Sequence, residues 1–217
     1  MEGICYVVGA GTCYAADLPL TSKDLLIAVD GGYDWLQKHN LSPDLLVGDF
    51  DSIVSTAENM QKDQIVKLPT HKEQTDMLVA LQEGKKKGYR TFYIYGGTGG
   101  NRISHTIANL QLLINDSDLQ CFLFDCKEVM FVLQNSQVFF SDACKGYLSV
   151  FSLSNQSIGV TELGLAYEVE NVTFDSNYPL GVSNAFIGKK SQVKVEKGTL
   201  LLVMQQENLP YLEWKEN

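Results

Sequence analysis

The chain has 217 residues, of which 45% are hydrophobic and 20% charged, so it carries enough apolar material for one large domain or two small ones. It has no basic leader followed by an apolar run and no apolar run of roughly 18 residues, so we expect neither a secretory signal nor a membrane protein. Its 26 acidic and 17 basic residues give a formal net charge of -9, which argues against a nucleic-acid partner because phosphate neutralisation requires a clustered basic face.

The first 126 residues alternate between short apolar runs and stretches with helical periodicity. The alternation predicts an α/β domain over residues 1–126, with an open, mostly parallel sheet and flanking helices. Apolar residues at helical spacing predict helices over residues 33–38, 76–87 and 105–114, the last one capped by Ser104. The apolar runs predict strands over residues 4–8, 25–29, 45–47, 65–68, 92–95 and 119–124.

The pattern changes after residue 126, where no helix is predicted. Short strand-like segments are separated there by stretches that contain Asn, Ser, Gly and Pro. This pattern predicts an antiparallel β-sandwich or barrel over residues 127–217. The predicted strands cover residues 129–133, 137–140, 147–153, 166–169, 192–195 and 199–204.

The cysteines are five in number, and no two of them have the C-x-x-C spacing of a zinc knuckle or a redox motif. Cys5 and Cys121 lie in apolar strand-like runs, where a thiol behaves as a small hydrophobic group. We interpret all five as reduced structural thiols, which fits a cytoplasmic protein.

Acidic residues lie beyond three successive strands of the predicted sheet. Asp30 follows the second strand, Asp49 and Asp51 follow the third, and Asp76 lies beyond the fourth. Ligands of open α/β sheets bind beyond the carboxyl ends of the strands, so these side chains are candidates for one site. Asp49 and Asp51 are two residues apart and can face the same Mg²⁺ ion, which prefers hard oxygen ligands. The alternative for any single aspartate is that it caps a turn or a helix.

A glycine-rich loop, Gly96–Gly100, follows the fifth predicted strand and precedes Arg102. The loop matches neither the Walker A motif nor G-x-G-x-x-G, but glycine amides can approach phosphate oxygens closely. Arg102 can bind a phosphate or form a surface ion pair. No spacing of histidines and cysteines supports a zinc centre, and no motif supports a serine hydrolase triad.

Two segments of the second half, residues 164–167 and 181–186, combine an aromatic side chain with small hydrogen-bonding groups. Such a surface suits a flat heteroaromatic ligand. The same residues are also common in strands and turns, and that structural interpretation stays open.

Taken together, these motifs resemble those of the thiamine pyrophosphokinase family, and they occur in the same order along the chain, from Asp30 to about Gly198. Ser104 stands where the family has an aspartate after its glycine-rich loop, so it can cap a helix but supplies no carboxylate. The motifs that carry the resemblance are D-G-G at 30–32, G-D-F-D-S-I at 48–53, K-E-Q-T-D at 72–76, the glycine-rich loop with Arg102, H-T-I-A-N at 105–109, G-L-A-Y at 164–167 and S-N-A-F at 183–186.

The resemblance implies an enzyme that transfers the pyrophosphoryl group of ATP to the hydroxyl of thiamine, giving thiamine diphosphate and AMP, with Mg²⁺. It implies an α/β nucleotide-binding and catalytic domain (1–126), then a β-sandwich that binds thiamine (127–217). It also implies a homodimer with active sites at the subunit interface.

Three groups of site residues are predicted on this basis. The aspartates assigned to catalysis are Asp30, Asp49, Asp51 and Asp76, and of these Asp49, Asp51 and Asp76 are predicted to bind the metal. The residues assigned to thiamine are Tyr167, Ser183 and Asn184. Lys72 is a further candidate for binding the phosphates of the nucleotide. The residues assigned to the nucleotide are Thr75, Gly99, Gly100, Arg102 and His105.

Two other functions compete with this prediction. A phosphohydrolase of the haloacid dehalogenase type would attack phosphorus with an aspartate of the D-x-D at Asp49 and Asp51 and would release inorganic phosphate. A sensor with the same fold would bind thiamine or ATP without forming AMP, and Ser104 is the residue that favours it.

Overall fold

The computed structural model describes residues 3–50, 60–69, 73–100 and 102–215. The chain forms two compact units, which we call unit 1 (Met1–Cys126) and unit 2 (Lys127–Asn217). Within the described residues, all three α-helices belong to unit 1. None of the helices found over those residues is long and apolar enough to cross a membrane.

Unit 1 contains a parallel sheet of six strands in the order β6-β5-β1-β2-β3-β4. Its core is apolar, since β2 and β3 are buried along their whole length. The six continuous apolar runs each form a strand, which confirms the α/β prediction. The strands are β1 (Ile4–Val8), β2 (Leu25–Val29), β3 (Leu45–Gly48), β4 (Ile65–Lys67), β5 (Thr91–Tyr95) and β6 (Gln120–Asp125).

The order of the strands reverses between β1 and β5. From β1 the chain adds β2, β3 and β4 on one side, and then β5 and β6 on the other. Loops that leave neighbouring strands at such a switch point diverge and open a crevice at the carboxyl edge of the sheet. The topology therefore places a binding crevice next to the ends of β1 and β5.

The helices of unit 1 are α1 (Gly32–Lys38), α2 (Asp76–Lys86) and α3 (Ile103–Leu112). Thr75 caps α2, and its Oγ1 accepts a 3.2 Å hydrogen bond from the Leu78 amide. Met77 and Leu81 are buried on one face of α2, as their spacing predicted. Gly84 lies on the same helix where a Cβ atom would overlap the ring of Phe92, so this helix packs close to the sheet.

The predicted start of α3 is wrong. The helix begins at Ile103, two residues earlier than expected, and Arg102 is its N-cap without a side-chain hydrogen bond. Ser104 therefore lies inside the first turn and does not cap the helix. The first turn is closed by the amide of His105, which donates a 2.9 Å hydrogen bond to the carbonyl of Arg102. The prediction was wrong because the capping rule uses only the local sequence, whereas the start of the helix also depends on where the glycine-rich loop ends.

Unit 2 consists of two antiparallel sheets, in the orders β12-β9-β14-β7 and β11-β10-β13-β8-β15. A 3₁₀ turn (Gln206–Tyr211) precedes the last strand. The strands are β7 (Glu128–Gln134), β8 (Gln137–Phe140), β9 (Tyr147–Ser152), β10 (Gln156–Leu163), β11 (Val169–Asp175), β12 (Gly181–Ala185), β13 (Ser191–Lys194), β14 (Thr199–Gln205) and β15 (Leu212–Lys215).

The core of unit 2 is built from alternating residues of both sheets. In β7, for example, Val129, Phe131 and Leu133 are buried, and the ring of Phe131 meets Trp214 of β15 edge-on. Such alternation is what a sandwich with two solvent-facing sides requires. The all-β prediction for this half is therefore confirmed.

One predicted strand of unit 2 is wrong, and four strands were missed. Residues 166–169 were expected to be a strand, but the chain leaves β10 at Gly164 (φ +72°) and forms a loop until β11 begins at Val169. The strands β10, β12, β11 and β15 were not predicted. The first two carry Ser, Gly and Asn among their apolar residues, so the hydrophobic alternation is too weak to reveal them.

Candidate active site

A cavity of about 520 Å³ lies in unit 1 at the carboxyl ends of β1, β2, β3 and β5. This is the edge of the sheet at which the strand order reverses. The lining combines carboxylates with glycines and has one arginine. Its residues are Gly9, Ala10, Gly11, Val29, Asp30, Asp49, Thr75, Asp76, Met77, Gly96, Gly97, Thr98, Gly99, Gly100, Arg102, His105, Ala108 and Asn109.

Three of the four predicted catalytic aspartates lie on this cavity, because three different elements deliver them. Asp30 follows β2 in a left-handed conformation (φ +45°), Asp49 follows β3, and Asp76 is the first residue of α2. Gly48 makes room for Asp30, since a Cβ atom at this position would overlap Oδ1 of that carboxylate. Three carboxylates from distant parts of the sequence thus line the same cavity.

Asp51 and Lys72 lie outside the described residues, so their predicted roles stay predictions. Among the residues that the structure does describe, no three histidine, cysteine or acidic side chains form a group that could hold a metal ion. Mg²⁺ is commonly held by one or two carboxylates together with substrate phosphates and water, so it does not need a group of three.

The glycine-rich loop after β5 is fixed by hydrogen bonds on two sides. On one side the Gly11 amide donates to the carbonyl of Gly96 at 2.8 Å. On the other side the buried side chain of Asn109 on α3 donates to the carbonyl of Gly97 at 2.7 Å. Gly96 has a positive φ (+60°), and a Cβ atom there would overlap the carbonyl of Gly9, so only glycine fits.

Thr98 anchors the same loop to the end of β6. Its side chain is buried, and its Oγ1 donates a 2.9 Å hydrogen bond to Oδ1 of Asp125. Beyond Thr98 the chain is exposed at Gly99 and Gly100, which have positive φ values of +67° and +71°. The inner part of the loop is thus held rigidly, and its outer part presents backbone to the cavity.

All five residues predicted to bind the nucleotide line the cavity. The set includes the N-cap of α2 and the N-cap of α3, two positions where helix amides and dipoles favour anions. The side chain of Arg102 is exposed at the rim. The five residues are Thr75, Gly99, Gly100, Arg102 and His105.

The sequence analysis missed the loop after β1, Gly9–Gly11, which forms one wall of the cavity. The amide of Gly9 donates to the carbonyl of Tyr95 at 2.8 Å, so this loop runs beside the start of the glycine-rich loop. The signal was present, because Gly9, Ala10 and Gly11 follow a predicted strand like the residues that we considered. The strand-end rule, applied to β1 as well, would have found them.

The residues predicted to bind thiamine lie together in unit 2. Tyr167 is 74% exposed in the loop after β10, and Ser183 is exposed in an irregular part of β12 with φ +59°. Irregular strand positions of this kind often direct side chains into sites. Asn184, by contrast, is 5% exposed. Its predicted contact with thiamine stays a prediction, and its observed contacts are internal.

Asn184 uses its whole amide within the chain. Its Nδ2 donates to Oε2 of Glu162 and to the carbonyl of Tyr167, at 2.8 and 2.7 Å. Its Oδ1 accepts from the amides of Tyr167 and Ala185, both at 2.9 Å. Burial raises the pKa of Glu162 to about 7, although the hydrogen bond from Asn184 lowers it in part. Nothing in the sequence pointed to Glu162, because it looks like an ordinary strand glutamate.

Comparison with known proteins gives the family. The model described as thiamin pyrophosphokinase, catalytic domain, matches residues 17–123. The model described as thiamin pyrophosphokinase, vitamin B1 binding domain, matches residues 135–200. The first match lies in unit 1 and the second in unit 2. No curated protein matches the chain.

Solved structures share the fold. The chain is similar to thiamine pyrophosphokinase from Bacillus subtilis, with 24% identity over 94% of this chain and 99% of that one (TM-score 0.79). It is similar to thiamin pyrophosphokinase from Candida albicans, with 17% identity over 94% and 89% (TM-score 0.72). The two family models cover successive parts of the chain and the fold agrees along nearly its whole length, so this chain belongs to the thiamin pyrophosphokinase family of enzymes.

Proposed function

We propose that this protein transfers the pyrophosphoryl group of ATP to the hydroxyl of thiamine, giving thiamine diphosphate and AMP. The observation that carries the proposal is a cavity in which Asp30, Asp49 and Asp76 lie with a glycine-rich loop at the switch point of the sheet. Transfer of phosphorus groups depends on positioning and charge stabilisation, which such a cavity can supply.

The glycine-rich loop and the helix starts are proposed to bind the triphosphate of ATP. Exposed backbone at Gly99 and Gly100 allows close approach of phosphate oxygens, because no Cβ atom intervenes. Arg102 provides a guanidinium for charge-assisted hydrogen bonds, and His105 and Thr75 add polar groups on either side. The loop is held by Asn109 and Asp125, so ATP does not have to order it on binding.

The aspartates suit a hard divalent cation, and we propose Mg²⁺. Carboxylate oxygens are its preferred protein ligands, and the cavity holds three carboxylates with room for phosphates and water. Asp49 and Asp76 would hold the ion, together with Asp51, which lies outside the described residues. When bound, the ion neutralises charge on the phosphate oxygens as the group is transferred.

The chain's own residues then have two tasks in the transfer. The loop amides and Arg102 hold the triphosphate so that the thiamine hydroxyl attacks the β-phosphorus in line and AMP leaves. One aspartate of the cluster accepts or orients the hydroxyl proton. No side chain forms a covalent intermediate, so ordered binding and electrostatics provide the acceleration.

Thiamine is proposed to contact unit 2 through Tyr167, Ser183 and Asn184. An exposed aromatic ring and an exposed hydroxyl group in the same unit suit the flat, polar pyrimidine ring of thiamine. We further propose a cytoplasmic homodimer in which each active site combines the aspartates of one subunit with the thiamine-binding residues of its partner. The five free thiols fit a reducing compartment. The exposed apolar side chains of Ile103 and Ile107 on α3 fit a partner contact.

The proposal is tested by separating the products of an incubation with ATP, thiamine and Mg²⁺. Equal amounts of AMP and thiamine diphosphate are expected, abolished by EDTA and reduced at least about 100-fold by Asp49→Asn or Asp76→Asn. Asp118→Asn is the matched control, since that aspartate is exposed and forms an ion pair with Lys85 away from the cavity. ADP with thiamine monophosphate would refute attack on the β-phosphorus. Inorganic phosphate alone would favour the phosphohydrolase, and binding of thiamine without AMP would favour the sensor.

The dimer is tested separately by mixing two inactive variants, Asp76→Asn and Tyr167→Ala. If each site draws on both subunits, random exchange makes mixed dimers with one intact site, and about a quarter of the wild-type activity returns. If each site lies within one subunit, mixing restores nothing. Light scattering of the wild type gives the oligomeric state independently.

A further inference from the structure

Glu162 on β10 is a buried carboxyl group that the proposed transfer does not use. It is 1% exposed, and its Oε1 has no hydrogen-bond partner in the part of the chain that the structure describes. Its Oε2 accepts the hydrogen bond from Asn184. Burying a carboxyl group costs free energy that an apolar side chain would avoid, so this group needs a specific explanation.

The carboxyl group of Glu162 helps to determine which way the amide of Asn184 points. In the observed orientation Nδ2 faces two acceptors, Oε2 of Glu162 and the Tyr167 carbonyl, and Oδ1 faces two backbone amides. A flipped amide would set oxygen against acceptors and NH₂ against donors, and all four hydrogen bonds would be lost. Glu162 thus adds a second acceptor on the Nδ2 side and favours one orientation.

The oriented amide in turn holds the loop that carries Tyr167. Both the N–H and the carbonyl of Tyr167 bond to this one side chain, across 17 positions of sequence. The ring of Tyr167 itself is exposed. Ser183 directly precedes Asn184, and its amide donates to Oγ of Ser149 at 3.0 Å. The position of both surface residues therefore depends on where Asn184 sits.

We propose that Glu162 is a positioning residue for thiamine: it orients Asn184, which fixes the backbone of Tyr167 and so pre-forms the thiamine-binding surface. The inference rests on the proposed function, in which Tyr167, Ser183 and Asn184 form the thiamine-binding surface. Pre-ordering lowers the entropic cost of binding, so its loss weakens thiamine binding selectively. The nucleotide cavity belongs to unit 1 and has none of these residues in its lining.

The test compares steady-state kinetics of three variants in the full-length enzyme. Glu162→Leu removes the acceptor, whereas Glu162→Gln keeps an oxygen for Asn184. The matched control is Ser157→Ala on the same strand, because Ser157 is also fully buried and bonds Ser152 and the carbonyl of Thr199, but not Asn184. We expect Glu162→Leu to raise the KM for thiamine roughly tenfold or more, with the KM for ATP unchanged. Glu162→Gln and Ser157→Ala should stay within about threefold of the wild type.

A second pair of variants keeps the test decisive if Glu162→Leu does not fold. Above pH 7, where Glu162 is ionised, Asn184→Asp sets two acceptors against each other, and adding Glu162→Gln supplies an NH₂ donor again. The KM of the double variant for thiamine should therefore lie between that of Asn184→Asp and that of the wild type. An equal rise in KM for Ser157→Ala, or no rescue in the double variant, overturns the positioning role. A wild-type protein that neither binds thiamine nor forms thiamine diphosphate overturns the proposed function and this inference together.

Discussion

Replacing Glu162 with glutamine should change how the stability of the protein depends on pH. Burial raises the pKa of this carboxyl from 4.5 to about 7 in the folded chain. Between these two values the folded protein keeps a proton that the unfolded chain has lost, so the free energy of unfolding falls as the pH rises. This shift in pKa lowers the free energy of unfolding by roughly 3 kcal/mol in total between pH 4.5 and about pH 7, and the loss of stability remains above pH 7.

The glutamine variant does not titrate at this position, so its stability relative to the wild type should increase by up to about 3 kcal/mol between pH 4.5 and 7. Urea denaturation at intervals from pH 5 to pH 8 measures this difference, because all other groups contribute equally to both proteins. Glu170→Gln is the control, since it removes an exposed glutamate from the adjacent strand β11. A difference for Glu162→Gln that stays constant across this range would refute the argument that burial perturbs this carboxyl group.

Three further predictions concern other parts of the structure. Asn109→Leu removes the buried hydrogen bond to the Gly97 carbonyl, so we expect the free energy of unfolding in urea to fall by about 1–3 kcal/mol. Relative to the wild type, the KM for ATP should rise more than the KM for thiamine. An unchanged KM for ATP would contradict the anchoring role. Gly48→Ala places a Cβ atom against the Asp30 carboxylate at φ +153°, so turnover should fall strongly while the protein still melts cooperatively; full activity would argue against this contact. A thiol reagent at neutral pH should label Cys126 first, because it is exposed while burial raises the pKa of the other four thiols; mass spectrometry of the native protein checks the order.

The sequence was most informative where the signal is local and periodic. Continuous apolar runs located all six strands that the structure describes in unit 1, since strands buried on both faces must be apolar throughout. The strand-end rule located Asp30, Asp49 and Asp76, and the structure brings all three to one cavity. The same approach was weak in unit 2, where β10 and β12 carry polar residues that break the alternation.

The sequence by itself thus determined the class of each half and the candidate carboxylates, because side-chain periodicity and strand ends are properties of short segments. Only the tertiary structure decided that β1 and β5 are neighbours, which sets Gly9–Gly11 against the glycine-rich loop. It alone paired Glu162 with Asn184, 22 positions apart and in different sheets. Such contacts depend on how distant strands are ordered and packed, and no local pattern of residues encodes that order.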